Sequence, residues 1–166
     1  MTKKIILLVG IPGSGKTTYS KKWVEEDPEN RVRFNNDEVN NMISPCWCRN
    51  KQDIIDQMRQ IFISTSISKG YDIILDNTNL NMKDKEYCEK MITIHNDLVK
   101  VLKNEGKLNP EDDIEYKLEY VCLDTPLEEC IRRDLLREKP IGEKVIKEMY
   151  EKYRRLVGND CQGIYQ

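Results

Sequence analysis

Short apolar runs alternate along the chain with longer stretches in which apolar residues recur every three or four positions. Residues 5–9 are continuously apolar, the pattern of a strand buried on both faces of a parallel sheet. From Thr17 to about Glu26 no Gly or Pro intervenes, which predicts a first helix ended by Asp27-Pro28-Glu29-Asn30. Residues 31–35 alternate and predict a second strand. Residues 40–50 read as irregular, with Ser44, Pro45, Cys46, Trp47 and Arg49 among them, although a short helix can begin at Asp37. Ile54, Ile55, Met58, Ile61, Phe62 and Thr65 mark the next helix, with Gly70 at its C-terminal cap position. Residues 71–75 predict a third strand. Asn81 and Asp84 can cap a long helix striped by Tyr87, Met91, Ile94, Leu98 and Val101 or Leu102, ending near Gly106.

Residues 107–114 are acidic and read as a surface loop or short insertion, before a fourth strand over 118–123. Thr125-Pro126-Leu127-Glu128 has the form of a capping box with proline at the first helical position. Leu127, Cys130, Ile131 and Leu135 would be the buried stripe of that helix, with Arg133 and Arg137 on an exposed face. Glu138-Lys139-Pro140 breaks it. Val145, Ile146, Met149, Tyr150, Tyr153, Leu156 and Val157 mark a final helix stopped by Gly158-Asn159. Such strand–helix alternation predicts an α/β fold, a mostly parallel sheet of four to five strands with helices on both faces. We expect one domain over 1–158, with residues 104–116 as a loop or small insertion and 159–166 as a loosely held tail.

Between the first strand and first helix stands Gly10-Ile11-Pro12-Gly13-Ser14-Gly15-Lys16-Thr17, which satisfies the P-loop pattern G-x-x-x-x-G-K-[ST]. Its glycines allow several N–H groups to face one anion, and the helix N-terminus adds partial positive charge there. Gly13, Ser14, Gly15, Lys16, Thr17 and Thr18 are therefore the candidate nucleotide contacts. Lys16 would reach the β- and γ-phosphates of ATP or another nucleoside triphosphate, and the Thr17 hydroxyl would ligate Mg²⁺. The predicted architecture is thus of the P-loop kinase type.

Charge and cysteine content limit the alternatives. With 27 Lys and Arg against 29 Asp and Glu, nothing in the bulk charge recruits nucleic acid or membrane, so a polyanion would need a local patch. Residues after about 132 are richer in Lys and Arg, and could form one. No apolar run approaches the roughly 18 residues of a membrane span, and no leader pattern opens the chain, so we expect a cytoplasmic protein without membrane contact. Protein partners are not predicted. Cys46, Cys48, Cys88, Cys122, Cys130 and Cys161 lack paired zinc-site spacing and read as free thiols. Cys46 and Cys48 with the single His95 supply too few ligands for a metal.

P-loops serve hydrolases and kinases alike, and a kinase also needs a carboxylate to receive the acceptor's proton. Asp37, beyond the second strand, suits that role; it also suits a helix N-cap. Asp76, ending the third strand, would hold Mg²⁺ through water, orient Lys16 and Thr17, or simply satisfy its own turn. Asn77 and Asn79 either contact the acceptor or fix that turn. Arg133 and Arg137 are candidates to neutralise the transferring phosphoryl group, or a solvated face paired with Glu129 and Asp134. Trp47 could stack on a base or pack.

Strand and P-loop, Asp37, the run Ile74-Leu75-Asp76-Asn77-Thr78-Asn79, and Cys130-x-x-Arg133-x-x-x-Arg137 together resemble the 5′-hydroxyl polynucleotide kinases of phage, bacterial and mammalian end repair. The resemblance covers roughly residues 3–158. It implies ATP- and Mg²⁺-dependent phosphorylation of a DNA or RNA 5′-hydroxyl end. Lys16 and Thr17 would bind the donor and metal, Asp37 would be the general base, and Arg137 the lid arginine, with Arg133 a second phosphate contact. Relatives often carry arginine just before the base, and phage relatives another three residues after it; Asn36 and Asn40 occupy those positions here, and Asn40 joins Asp37, Asn77 and Asn79 as an expected acceptor contact. A kinase for a nucleoside, nucleotide or other small metabolite is the alternative, and a nucleotide-binding regulatory module a third.

Overall fold

The computed structural model describes residues 1–44, 49–81 and 83–159. Cys46, Trp47, Cys48, Cys161 and the tail over 160–166, for which readings were made above, lie outside the described residues. Four strands, β1 (Thr2–Val9), β2 (Arg31–Phe34), β3 (Asp72–Leu75) and β4 (Glu115–Cys122), form one parallel sheet in the order β2-β3-β1-β4. In the central pairings Ile5 lies opposite Ile73 and Leu118, and Leu7 opposite Leu75 and Tyr120.

Six helices connect and cover the sheet among the described residues: α1 (Lys16–Glu25), α2 (Asn36–Ile43), α3 (Gln52–Ser68), α4 (Lys83–Asn104), α5 (Leu127–Leu135) and α6 (Glu143–Asn159). β1 explains the layering. Ile5 and Leu7 point into a core with Ile63 and Ile67 of α3 and Cys88 of α4, whereas Ile6 and Leu8 point the other way, onto Trp23 of α1. That two-sided burial is why the run carries no polar residue. Val9 and Ile11 continue into a third cluster with Cys130 of α5 and Ile146 and Tyr153 of α6, closing the end of the sheet where the strands finish.

The structure corrects four local expectations. Residues 40–43 are helical, since α2 runs from Asn36 to Ile43 once the Asn35 side chain accepts a hydrogen bond from the Glu38 N–H at 2.9 Å. β4 begins at Glu115, because β1 starts at Thr2 and offers a partner along its whole length; the insertion shrinks to the loop around a 3₁₀ turn at Pro110–Asp112. On α4, Ile94, Leu98 and Val101 are about half exposed. The sheet is met instead by Cys88 and Val99, and by His95 and Asn96, whose side chains bind the backbone of Ile114 and Tyr116. Apolar periodicity could not register a buried face made partly of polar anchors. Finally, Leu135 of α5 is exposed and Asp134 is buried.

Candidate active site

The carboxyl ends of β1, β2 and β3 release Gly10, Asn35 and Asp76 toward the same crevice, as parallel sheets of this kind require. The P-loop fills it from β1. Gly13 adopts φ +83° and packs so closely on α5 that a Cβ there would lie 2.6 Å from the Cys130 carbonyl oxygen. Gly15, at φ +94°, opens α1. Thr125 does not cap α5 as predicted. Pro126 takes the cap position without a side-chain bond, and the Thr125 hydroxyl donates to the Ser14 carbonyl at 2.9 Å, tying the P-loop to the chain after β4.

Lys16 is nearly buried and turns back on the loop, donating from Nζ to the carbonyls of Ile11 at 2.8 Å and Gly10 at 3.0 Å. Burial pushes its pKa down to about 8; the negative charge of Asp76 opposes that shift and the Arg137 guanidinium adds to it. An ammonium held by two carbonyl dipoles and, at 3.5 Å, the Ser14 hydroxyl is poised to exchange these neutral partners for phosphate oxygens.

Two cavities meet at this lysine. The first, about 620 Å³, is walled by Gly13, Gly15, Lys16, Thr17, Thr18, Tyr19, Arg133 and Arg137. The second, about 480 Å³, is walled by Asn35, Asp37, Glu38, Asp76, Asn77 and Thr78 together with Pro12, Ile141 and Met149. Lys16, Thr17 and Arg137 line both. Ser14 is buried and does not line the first cavity.

Each remaining predicted residue has a definite place. Asp37 is exposed in the first turn of α2 and faces the second cavity; the N-cap role belongs to Asn35. Asp76 is almost fully buried, and its Oδ2 accepts from Ser20 Oγ and Arg33 Nε, both at 2.9 Å, and from Arg33 Nη2. Its Oδ1 is buried with no hydrogen-bond partner. Arg33 also grips both Glu38 carboxylate oxygens, at 2.7 and 3.1 Å, which ties β2, β3 and α2 together. Asn77 accepts from the Asn36 N–H at 2.9 Å and leaves its Nδ2 unpartnered.

Two expected acceptor contacts are not in the cavity wall. Asn79, at φ +48°, is buried and donates to the carbonyls of Leu8 at 2.7 Å and Leu75 at 3.0 Å, locking β1 to β3. Asn40 is buried on the inner side of α2. Arg133 reaches the Gly13 carbonyl at 3.0 Å while Glu129 holds its Nε at 2.7 Å. Arg132 and Arg133 together keep the Glu129 carboxyl well below the usual carboxylate range, at about 2. Arg137 lies beyond the end of α5, 3.6 Å from Asp134.

Sequence reasoning passed over Arg33 and Ser20, and gave Asp134 only as a surface partner of the arginines, whereas it is buried beside Arg137. Arg33 did carry a signal: a guanidinium inside a strand of a doubly covered sheet must find a carboxylate.

A family model described as an AAA domain (AAA_33) matches residues 5–156. The chain belongs to that family. It is a P-loop kinase domain, and a nucleotide-binding one by kind. The L-seryl-tRNA(Sec) kinase of Methanococcus maripaludis is 28% identical over 153 residues, which cover 90% of this chain and 52% of that protein. A putative bifunctional polynucleotide kinase/RNA ligase of Autographa californica nuclear polyhedrosis virus is 23% identical over 168 residues, or 93% of this chain and 21% of the relative. The chain therefore spans about half of the first and about a fifth of the second. Among solved structures, a chain of the Pnkp1/Rnl/Hen1 RNA repair complex superposes with a TM-score of 0.63 at 22% identity, covering 92% of this chain and 44% of that one. A fungal RNA kinase superposes at 0.56 with 17% identity, covering 92% and 65%. At these identities the likeness is one of fold. No described helix is long and apolar enough to cross a membrane.

Proposed function

We propose that this domain transfers the γ-phosphoryl group of ATP, or of another nucleoside triphosphate, to the 5′-hydroxyl end of DNA or RNA. The observation that carries the reading is the pair of cavities that share Lys16, Thr17 and Arg137, with the exposed carboxylate of Asp37 in the second. A donor in the first cavity presents its terminal phosphate where the two join. The acceptor oxygen attacks that phosphorus, the bond to the β-phosphate oxygen breaks, and the hydroxyl proton passes to Asp37. Lys16 exchanges its loop carbonyls for phosphate oxygens, and Arg137 spreads positive charge over the group in transit.

The residues also fit a magnesium ion: the Asp76 Oδ1 is a buried acceptor without a donor, and Thr17 stands at the junction. Thr17, and Asp76 through water, would hold Mg²⁺, which when bound would neutralise charge on the donor's phosphates. Relatives whose names refer to polynucleotide and tRNA kinases support a nucleic-acid acceptor. A tRNA-borne hydroxyl is the second reading, favoured by the seryl-tRNA kinase match over 90% of the chain.

The test is transfer of labelled γ-phosphate to 5′-hydroxyl DNA and RNA oligonucleotides, with seryl-tRNA, nucleosides and nucleotides alongside. We expect labelled oligonucleotide, and we expect Asp37→Asn to lower the rate by about 10²- to 10⁴-fold with ATP affinity nearly unchanged. Full activity of Asp37→Asn would remove Asp37 from the mechanism, and label only in small metabolites would exclude the end-phosphorylation reading.

A further inference from the structure

Asp37 is exposed in the first turn of α2, so its carboxylate stays at the second cavity only as long as that turn is held in place. Two ties come from the sheet side: Arg33 grips Glu38, and the Asn77 oxygen accepts the Asn36 N–H. A third comes from the helical layer. Arg59 of α3 donates from Nη1 to the Asn36 side-chain oxygen at 3.1 Å. Its Nη2 pairs with Asp56 of its own helix and with Asp84 of α4, each at 3.0 Å. Gln52 holds the same Asp56 oxygen at 3.0 Å.

The Arg59 guanidinium and the Asp84 carboxylate are both nearly buried. Burial pushes the Asp84 carboxyl up in pKa, against the pull of Arg59. Such a pair is an inefficient source of stability, because both ions give up their hydration, but the planar guanidinium fork fixes direction. Here one arm of the fork is anchored on carboxylates and the other is aimed at a neutral amide. That amide belongs to the residue immediately before Asp37. Asn36 is therefore held at both ends, its backbone by Asn77 and its side chain by Arg59.

We infer that Arg59 is a positioning residue for proton transfer: anchored by Asp56 and Asp84, it fixes Asn36 and thereby sets the Asp37 carboxylate at the second cavity. This rests on the kinase reading and deepens it. Arg59 lines neither cavity, so it acts on the acceptor's proton only through Asp37 and leaves the donor's contacts as they are. A carboxylate displaced by about 1 Å takes that proton less efficiently.

The experiment is steady-state transfer from ATP to a 5′-hydroxyl oligonucleotide, or to whichever acceptor of the panel above takes label. The parent protein is compared with Asn36→Ala and Arg59→Met, each also in the Asp37→Asn background. Asn36→Ala deletes the tie and leaves Arg59 both its carboxylates, whereas Arg59→Met also leaves Asp84 buried without its cation and so burdens folding. We expect Asn36→Ala to lower kcat about tenfold and Arg59→Met at least as much, with KM for ATP unchanged. Neither should lower the residual rate of Asp37→Asn by more than about twofold, because a group that acts through Asp37 has nothing left to place. A kcat for Asn36→Ala within about twofold of the parent overturns the inference. So does a loss that multiplies with that of Asp37→Asn, or a rise in KM for ATP as large as the fall in kcat, since general loosening of the fold produces either. A parent protein that labels no acceptor overturns the kinase reading and this inference with it; the other outcomes leave the kinase reading standing.

Discussion

Lys16 shows how one residue reports on the state of the site. It is held by the carbonyls of Gly10 and Ile11, and burial brings its pKa to about 8. Phosphate oxygens favour the ammonium, so the pKa rises on binding. The free protein thus loses this proton as pH rises through about 8 whereas the complex keeps it. Binding then takes up protons in that window, and affinity for Mg·ATP falls as pH climbs through it. Calorimetric titrations in buffers of differing ionisation enthalpy should show net proton uptake near pH 8.5 and little near pH 7. Lys16→Met should abolish the uptake. Asp76 carries the complementary lesson: its carboxylate is divided between an oxygen held by Arg33 and Ser20 and one left open. Nothing within five residues of Asp76 in the chain announces that division.

The strap between α5 and α6 is governed by Asp134. Its buried Oδ2 accepts the backbone N–H groups of Ile141 and Gly142, both at 2.9 Å, and its Oδ1 lies 3.6 Å from the Arg137 guanidinium. One carboxylate therefore sets both Arg137, which enters both cavities, and Ile141, which walls the second. Asp134→Ala should release the strap and lower kcat/KM for donor and acceptor together by about 10- to 100-fold, the scale of a misplaced contact. Asp134→Asn keeps an oxygen for the two N–H groups and should recover part of the loss. Steady-state kinetics on both variants checks this, and equal damage in the two would assign the effect to charge alone. The polar residues that anchor α4 to β4, His95 and Asn96, act at the same scale and escaped the apolar count for the same reason as Asp134.

At the scale of the molecule, the order β2-β3-β1-β4 places β3 between the strands that lead to the P-loop and to Asp37. The junction is locked by Asn79, which joins the ends of β1 and β3 through Leu8 and Leu75. Asn79→Gly keeps the left-handed backbone while deleting both bonds. We expect it to cost about 1–3 kcal/mol, read as a lower urea midpoint at unchanged m-value. An unaltered midpoint would mean that sheet packing alone holds the junction.

Much of this was determined by the sequence itself. The P-loop spacing, the continuous apolar run before it and the alternation of strand and helix were sufficient for the fold class and the family, because those constraints act between neighbours in the chain or are repeated along it. The phosphate cradle is local, so its residues could be named from their order. What only the tertiary structure decided is everything that depends on pairs distant in sequence. Arg33 reaches Asp76 across 43 positions and Thr125 reaches Ser14 across 111. Asn79 fastens the ends of β1 and β3, and Glu38 and Asp76 share Arg33 beside the second cavity, because burial and charge pairing are properties of the packed chain and not of its order.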